Sequence, residues 1–237
     1  MGDDPGLPAV HPGVDEAVAY YRAFMEEIKM RLGAIKAVVG LLRAEPKRHD
    51  AFMQAEFAFL QFRLSCELMT LAILAAHRPY GISDDLMTSW NTELALLELS
   101  RTNPQAFPHH VIINRSDAGI QLNVDSRGHL TKRGLVRHYK KCARVLHRGH
   151  LRHALEHSAK VYDMDALDRW AKRFGALLSH HVLMILNEGL VLVVHLTGGE
   201  SGSVSVAIAQ ADGPAVLVEH EDGTLSGFRA SEQSPPD

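Results

Sequence analysis

The stretch that decides the fold is FAFLQFRLSCELMTLAILAAH, residues 57–77. Apolar residues occupy nearly every side of a helix drawn through it, which places the helix at the centre of a bundle rather than on its surface. Arg63 and Glu67 interrupt the apolar run and argue against a membrane span. Pro79 follows and stops the helix. We therefore predict a central helix over about 50–77.

Four further helices are predicted from apolar residues that recur at helical spacing. They cover about 15–43, 83–101, 131–147 and 163–181. Ser83 suits the N-cap of the second of these, which we expect to run unbroken through Trp90. A bundle of five helices is therefore expected.

Alternating apolar and polar residues predict strands between and after the helices. The segments VIIN and IQLNV read as a hairpin over about 110–125, and four later segments read as an antiparallel meander over about 182–219. The predicted fold class is α+β, a mainly helical bundle with a small antiparallel β-meander, in a single domain over 14–220. Residues 1–13 and 221–237 are rich in Gly, Pro, Ser and acids, and we expect both to be disordered.

Overall composition excludes little, because Lys+Arg 25 against Asp+Glu 28 leaves a net charge of only −3. The distribution is uneven, since residues 127–157 hold nine Arg or Lys and one acid. Cys66 and Cys142 both fall in apolar helical patterns, as reduced core thiols do. The first residues carry no signal-peptide pattern, so we expect a cytoplasmic protein with no membrane contact.

The helix over 131–147 has two different faces. Leu135, Tyr139, Cys142 and Leu146 form one apolar stripe, and the cations lie nearly opposite. Either this is an ordinary solvated face, or it binds RNA or an acidic protein. The candidate nucleic-acid-binding residues are Arg133, Arg137, Lys140, Lys141 and Arg148. No exposed aromatic residues lie between these cations, so the sequence shows no side chain on which a base could stack.

The segment RVLHRGHLRHALEH, residues 144–157, contains four histidines at spacings of three, three and four. Gly149 resembles a helix C-cap and divides the segment, and the nearby arginines would repel a cation. We therefore predict no metal site and no cofactor. Metal binding by His150, His153 and His157 stays as a third hypothesis.

Arg63 and Glu67 lie four residues apart in the central helix. Such charges should be paired, either with each other or with a partner group in a cleft that positions a phosphate. Arg-x4–6-His patterns also occur, from Arg133 to His138 for example, but with 15 His in the chain the bare pattern carries little weight.

The central stretch, Trp90, Asn103-Pro104 and LTKRGLVRHYKKCARVLH together resemble a family of uncharacterised bacterial proteins over about 50–200. That resemblance implies an architecture and no activity. The chain is more loosely similar to HEPN-type helical bundles, many of which are ribonucleases in toxin and phage-defence systems, while some are inactive scaffolds. Tyr139 and His147 match the Tyr-x7-His helix of that group. The Arg-x4–6-His matches from Arg144 to His150 and from Arg148 to His153, however, straddle Gly149 instead of lying near a helix start.

Two functions are therefore predicted. The first is a non-enzymatic interaction or regulatory protein of a bacterial defence or stress system, a homodimer that contacts an anionic partner through the basic helix Arg133–Arg148. The second, implied by the HEPN resemblance, is a metal-independent endoribonuclease in which His147 is the general acid or base and Arg144 or Arg63 holds the phosphate. Its catalytic candidates are His147, Tyr139, Arg144, Arg63 and Glu67.

Overall fold

The computed structural model describes residues 12–89, 91–116, 119–125, 127–147, 161–185, 190–210, 216–219 and 225–229. Within these ranges the helices are α1 (Val14–Ala44), α2 (Ala51–His77), α3 (Asp84–Thr88), α4 (Thr92–Thr102), α5 (Lys132–Leu146) and α6 (Met164–Ser179). The strands are β1 (His109–Ser116), β2 (Gly119–Val124), β3 (His180–Met184), β4 (Leu190–His195), β5 (Ser205–Gln210), β6 (Val216–Glu219) and β7 (Leu225–Arg229). The predicted α+β class, mainly helical with a small antiparallel sheet, is confirmed.

α2 is the central helix, as predicted. Its fully buried residues include Ala58, Phe59, Phe62, Cys66, Met69 and Ile73. α1 packs along one side, where Arg31 Nη1 donates to Gln61 Oε1 at 2.5 Å. α5 and α6 cover another side, and Phe62 meets the edges of His138 and Phe174 there. The helical layer is thus organised around one apolar helix.

The region predicted as a single helix over 83–101 is two helices. α3 ends at Thr88, and α4 begins after Asn91, whose Oδ1 accepts hydrogen bonds from the backbone N–H groups of Glu93 and Leu94. The prediction of an unbroken helix was wrong because this cap satisfies the first amides of a new helix. Trp90, at the junction, lies outside the described residues.

The five-stranded sheet has the order β2-β1-β3-β4-β5, and every pairing in it is antiparallel. The hairpin predicted over about 110–125 is confirmed as β1 and β2. The predicted meander is confirmed only for β3, β4 and β5, because β6 pairs with β7 in a separate two-stranded sheet. β7 also places a strand at residues 225–229, inside the tail that was predicted to be disordered from residue 221.

A buried polar network joins the end of α2 to the sheet. His77 Nδ1 donates to the Ile73 carbonyl at 2.7 Å, and His77 Nε2 accepts from Asn103 Nδ2 at 2.9 Å. The same amide nitrogen donates to the Met184 carbonyl at 3.0 Å. Burial lowers the pKa of His77, which keeps its ring neutral. In the neutral ring Nδ1 carries the proton that is donated to the Ile73 carbonyl, and the lone pair of Nε2 accepts from Asn103.

A second buried pair links α1 to β3. Tyr21 OH donates to His181 Nε2 at 2.7 Å, and His181 Nδ1 donates to the Leu178 carbonyl at 3.1 Å. Both side chains are fully buried. Burial raises the pKa of Tyr21 well above its usual range and lowers the pKa of His181 to about 4, so both groups stay uncharged.

The predicted core cysteines are confirmed as free, buried thiols, and burial raises the pKa of Cys142 to about 12. One helical segment among the described residues, Ala51–Tyr80, is long and apolar enough to span a membrane by length and composition. However, 61% of its most apolar window is buried inside the protein, as in the core helix of a soluble protein.

We expect the stability to fall as the pH drops from 7 to 5. The pKa of His181 is about 4 in the fold and about 6.5 when unfolded, so the unfolded chain binds more protons in this window. His181 alone should cost about 2 kcal/mol of unfolding free energy over these two pH units. Urea unfolding at each pH measures this, and Tyr21→Phe with His181→Leu should make the dependence shallower, while His77, His109 and His138, whose pKa values are also lowered, keep part of it. A wild-type curve that stays level from pH 7 to 5 would contradict the prediction.

Candidate functional site

A groove of about 480 Å³ lies between α4 and α5. α4 contributes Glu93, Leu96 and Leu97, and α5 contributes Lys132, Arg133, Val136, Arg137, Lys140 and Arg144. Each helix therefore supplies apolar and charged side chains. We name this feature the α4–α5 groove.

The floor of the groove is apolar and reaches the surface. Leu96 is buried and Val136 is partly buried, whereas Leu97 is 51% exposed. Such a floor binds apolar groups more readily than a wholly charged surface does. The groove is therefore not just a solvated row of cations.

Five cations of the described part of the chain surround this floor, and two of them are already engaged. Lys140 Nζ lies 2.5 Å from Glu93 Oε2, and Lys132 Nζ donates to Ser100 Oγ at 2.7 Å. Arg133, Arg137 and Arg144 are exposed and bond to none of the described residues. Their guanidinium groups are therefore available to a ligand.

The local structure of α5 explains why these arginines share a side. Thr131 Oγ1 accepts from the Gly134 amide at 3.1 Å and fixes the start of the helix. Leu135 and Cys142 then face the core, as predicted. The arginines follow at spacings of four and seven residues, which place them on one face over about 17 Å.

Not all of the predicted nucleic-acid-binding residues line the groove. Arg133, Arg137 and Lys140 do, together with Arg144, which had been assigned to catalysis. The ammonium of Lys141 instead lies 4.9 Å from the centre of the Trp170 ring, a cation–π contact away from the groove. Arg148 lies outside the described residues.

Arg63, Glu67 and Tyr139 come together beside α5. Arg63 Nε donates to Glu67 Oε1 at 3.1 Å, and the Arg63 guanidinium lies 5.3 Å from the centre of the Tyr139 ring. The internal ion pair expected from the sequence is thus present. The two charges are not deeply buried, however, because their side chains are 32% and 31% exposed.

The two remaining catalytic candidates lie elsewhere on α5. Arg144 lines the α4–α5 groove, about 140° around the helix from Tyr139. His147 is the C-cap residue, and its exposed side chain follows Tyr139 by about 12 Å of helix. Three of the five candidates, Arg63, Glu67 and Tyr139, therefore form one cluster. Arg144 faces the groove, and His147 lies at the end of α5.

His138, the histidine of the Arg133-to-His138 pattern, is a core residue. Its ring stacks on Trp170 with centroids 4.3 Å apart, and neither ring nitrogen bonds to a described residue. Burial, with smaller contributions from Arg137, Arg173 and Lys141, lowers its pKa to about 4. A ring held neutral between Phe62 and Trp170 packs and does not exchange protons near neutral pH.

Among the described residues no group of three or more His, Cys, Asp or Glu is arranged to hold a metal ion. Several histidines nevertheless meet in pairs, with ring centroids 4.1 Å apart for His110 and His129 and 3.8 Å apart for His180 and His195. His150, His153 and His157, the residues of the metal hypothesis, lie outside the described part of the chain.

Sequence reasoning missed the α4 side of the groove, Glu93, Leu96 and Leu97, and also Lys132 and Val136. One signal was available in α4, where Leu94 and Leu97 lie three residues apart on a face opposite the buried Ala95 and Leu99. Nothing in the sequence paired that face with α5, because the two helices are separated by the whole β1–β2 hairpin.

Comparisons with protein-family models, with curated proteins and with solved structures find no match for this chain. The predicted resemblances therefore stay predictions, and the α4–α5 groove is interpreted from its own geometry.

We expect the Arg63–Glu67 pair to contribute little to stability. Each side chain is about one-third exposed, and Arg placed N-terminal to Glu is the weaker orientation of a helical pair. A double-mutant cycle with Arg63→Met and Glu67→Gln, followed by urea unfolding, should give a coupling of about 0.5 kcal/mol. The pair Arg43–Asp168, whose carboxylate is 10% exposed, is the control and should couple more strongly. A coupling for Arg63–Glu67 above that of the control would show that the first pair is desolvated.

Proposed function

We propose that this protein is a non-enzymatic binding protein whose α4–α5 groove receives an acidic amphipathic helix of a partner protein. The observation that carries the proposal is the set of three exposed guanidinium groups beside an apolar floor. No described residue neutralises Arg133, Arg137 or Arg144. The groove therefore combines a charge that selects acids with a surface that gains from being covered.

The spacing of the arginines matches a helix as the occupant. Arg133 and Arg137 are about 6 Å apart along α5, and Arg137 and Arg144 about 10 Å apart. A partner helix lying alongside α5 has the same rise per residue, so carboxylates at positions i, i+4 and i+11 stand opposite the three arginines. Each guanidinium can then bind a carboxylate through two parallel hydrogen bonds.

The floor supplies the second half of the recognition. Apolar side chains on the inner face of the partner helix would cover Leu97, Leu96 and Val136. Covering them removes water from the neighbouring ion pairs and strengthens those pairs. An acidic segment without an apolar face would gain only the electrostatic part.

Single-stranded RNA fits the groove less well. None of the described residues that line the groove is aromatic, so among them bases have no ring on which to stack. Phosphates would neutralise the arginines but leave the leucine floor uncovered. RNA is therefore the alternative outcome of the test and not the proposed occupant.

The test is fluorescence anisotropy with a labelled synthetic helix that carries leucines on one face and glutamates at i, i+4 and i+11. We expect it to bind, and Arg133→Ala with Arg137→Ala to lower the affinity about tenfold, since two exposed ion pairs are lost. Arg22→Ala is the matched control, because Arg22 is exposed on α1 outside the groove. Added salt should weaken binding of wild-type protein more than binding of the double variant.

Leu97→Ala separates the two occupants. It removes part of the apolar floor at a half-exposed site, so it should weaken the peptide while leaving binding of a short single-stranded RNA unchanged. The proposal fails if the acidic helix does not bind, or if a version with glutamines in place of the glutamates binds equally well. It also fails if RNA binds more tightly than the acidic helix and the arginine variants affect RNA alone.

The endoribonuclease hypothesis has its own test. Arg63 contacts Tyr139 and Glu67, whereas Arg144 lines the groove on another side of α5. His147 is the C-cap residue at the end of that helix. We therefore expect purified protein to leave mixed RNA intact at neutral pH. Cleavage that is present in the wild type and abolished by His147→Ala would establish the enzymatic function instead.

A further inference from the structure

The central helix α2 leaves one side uncovered. Met53, Phe57, Leu60 and Leu71 are between 40% and 53% exposed, and Leu64 is partly exposed on the same side. With Glu67 these residues follow the spacing four, three, four, three, four. We name this set of six residues, from Met53 to Leu71, the α2 stripe.

A spacing that alternates three and four is the repeat with which two helices pack along their length. The α2 stripe extends over about 27 Å, or five turns of helix. Singly exposed apolar residues are ordinary on protein surfaces, but a continuous row of this length is typical of an interaction surface. Most of α2 is buried, and the stripe adds apolar residues on its exposed side. The helix is therefore apolar enough overall to pass for a membrane span by composition.

We propose that the α2 stripe is the interface of a homodimer in which the two copies of α2 pack antiparallel. The only charge in the stripe, Glu67, is bonded at 3.1 Å to Arg63 of the same helix. The stripe therefore presents no net charge that would select a charged partner. Its best complement is another apolar row with the same repeat, which a second copy of the chain supplies.

The charge of Glu67 also sets the direction of packing. In a parallel pair the two Glu67 carboxylates would face each other across the seam, which is unfavourable. In the antiparallel pair each residue of one α2 faces a residue of the other α2. The residue numbers of two facing residues add up to 124. Leu60 then faces Leu64, Met53 faces Leu71, and each Glu67 faces Phe57, about 15 Å along the helix from the other Glu67.

The size of the contact predicts a modest affinity. A strip about 27 Å long and one helix wide covers roughly 300 Å² on each copy, against about 800 Å² in a standard stable interface. Residues on the flanks of the stripe add a rim. We therefore expect a dimer that dissociates in the micromolar range, and that is independent of the α4–α5 groove.

Sedimentation velocity over low to several hundred micromolar protein tests the proposal. The wild type should pass from monomer to dimer, and Leu60→Glu should weaken the dimer at least tenfold because it places a charge opposite Leu64, close to the two-fold axis. Met30→Glu is the matched control, since Met30 is exposed on α1 away from the stripe. A protein that stays monomeric throughout, or a Leu60→Glu dimer as tight as the wild type, overturns the proposal.

Disulfide cross-linking tests the antiparallel arrangement without a destabilising charge. Met53→Cys and Leu71→Cys should each fail to cross-link alone, and should cross-link when the two variants are mixed. Cross-linking of each variant by itself would show a parallel pair and contradict the proposed geometry.

Flotation with neutral phosphatidylcholine vesicles tests a lipid surface as the alternative partner of the stripe. Vesicle binding that Leu60→Glu abolishes, in a protein that does not self-associate, would assign the stripe to a lipid surface instead.

Discussion

The structure depends on the need to cover α2. This helix has too little polar surface to lie against water, so α1, α5 and α6 must pack around it. The orientation of α5 follows from that requirement. Because Leu135 and Cys142 are used to cover α2, the cations of α5 must face outward, where α4 lies beside them and the groove forms.

The sequence was most informative about features that depend on the residues of a single helix. The periodicity of α5 predicted both its apolar stripe and its basic face, because amphipathicity is a local property. The partner of that face could not be predicted, since Leu97 and Val136 line the same groove although the β1–β2 hairpin separates them in the sequence. The break before α4 was missed for a similar reason: Asn91 is an unremarkable polar residue until its side chain caps the new helix.

Arg63 and Glu67 illustrate a second limit of sequence reasoning. Two charged residues in an apolar helix indicate that burying them would cost free energy. The sequence does not show which side of the helix is exposed to solvent. In the structure Glu67 belongs to the α2 stripe and Arg63 is bonded to it, and partial exposure of both side chains removes most of the cost. The same open side accounts for the exposed leucines, so the charges and the leucines reflect one geometric fact and not a buried catalytic pair.

The two proposed surfaces lie on different sides of α5, and this has a consequence for binding. Tyr139 of α5 contacts Arg63 next to the α2 stripe, whereas Arg133, Arg137 and Arg144 face the groove. Self-association through the stripe would therefore leave both grooves open and present two of them on one particle. A partner with two acidic helices would then bind with an effective local concentration set by its linker. The described residues of each groove include three guanidinium groups without a bonded partner, and single exposed ion pairs are weak, so this doubling would matter more for overall affinity than any one pair.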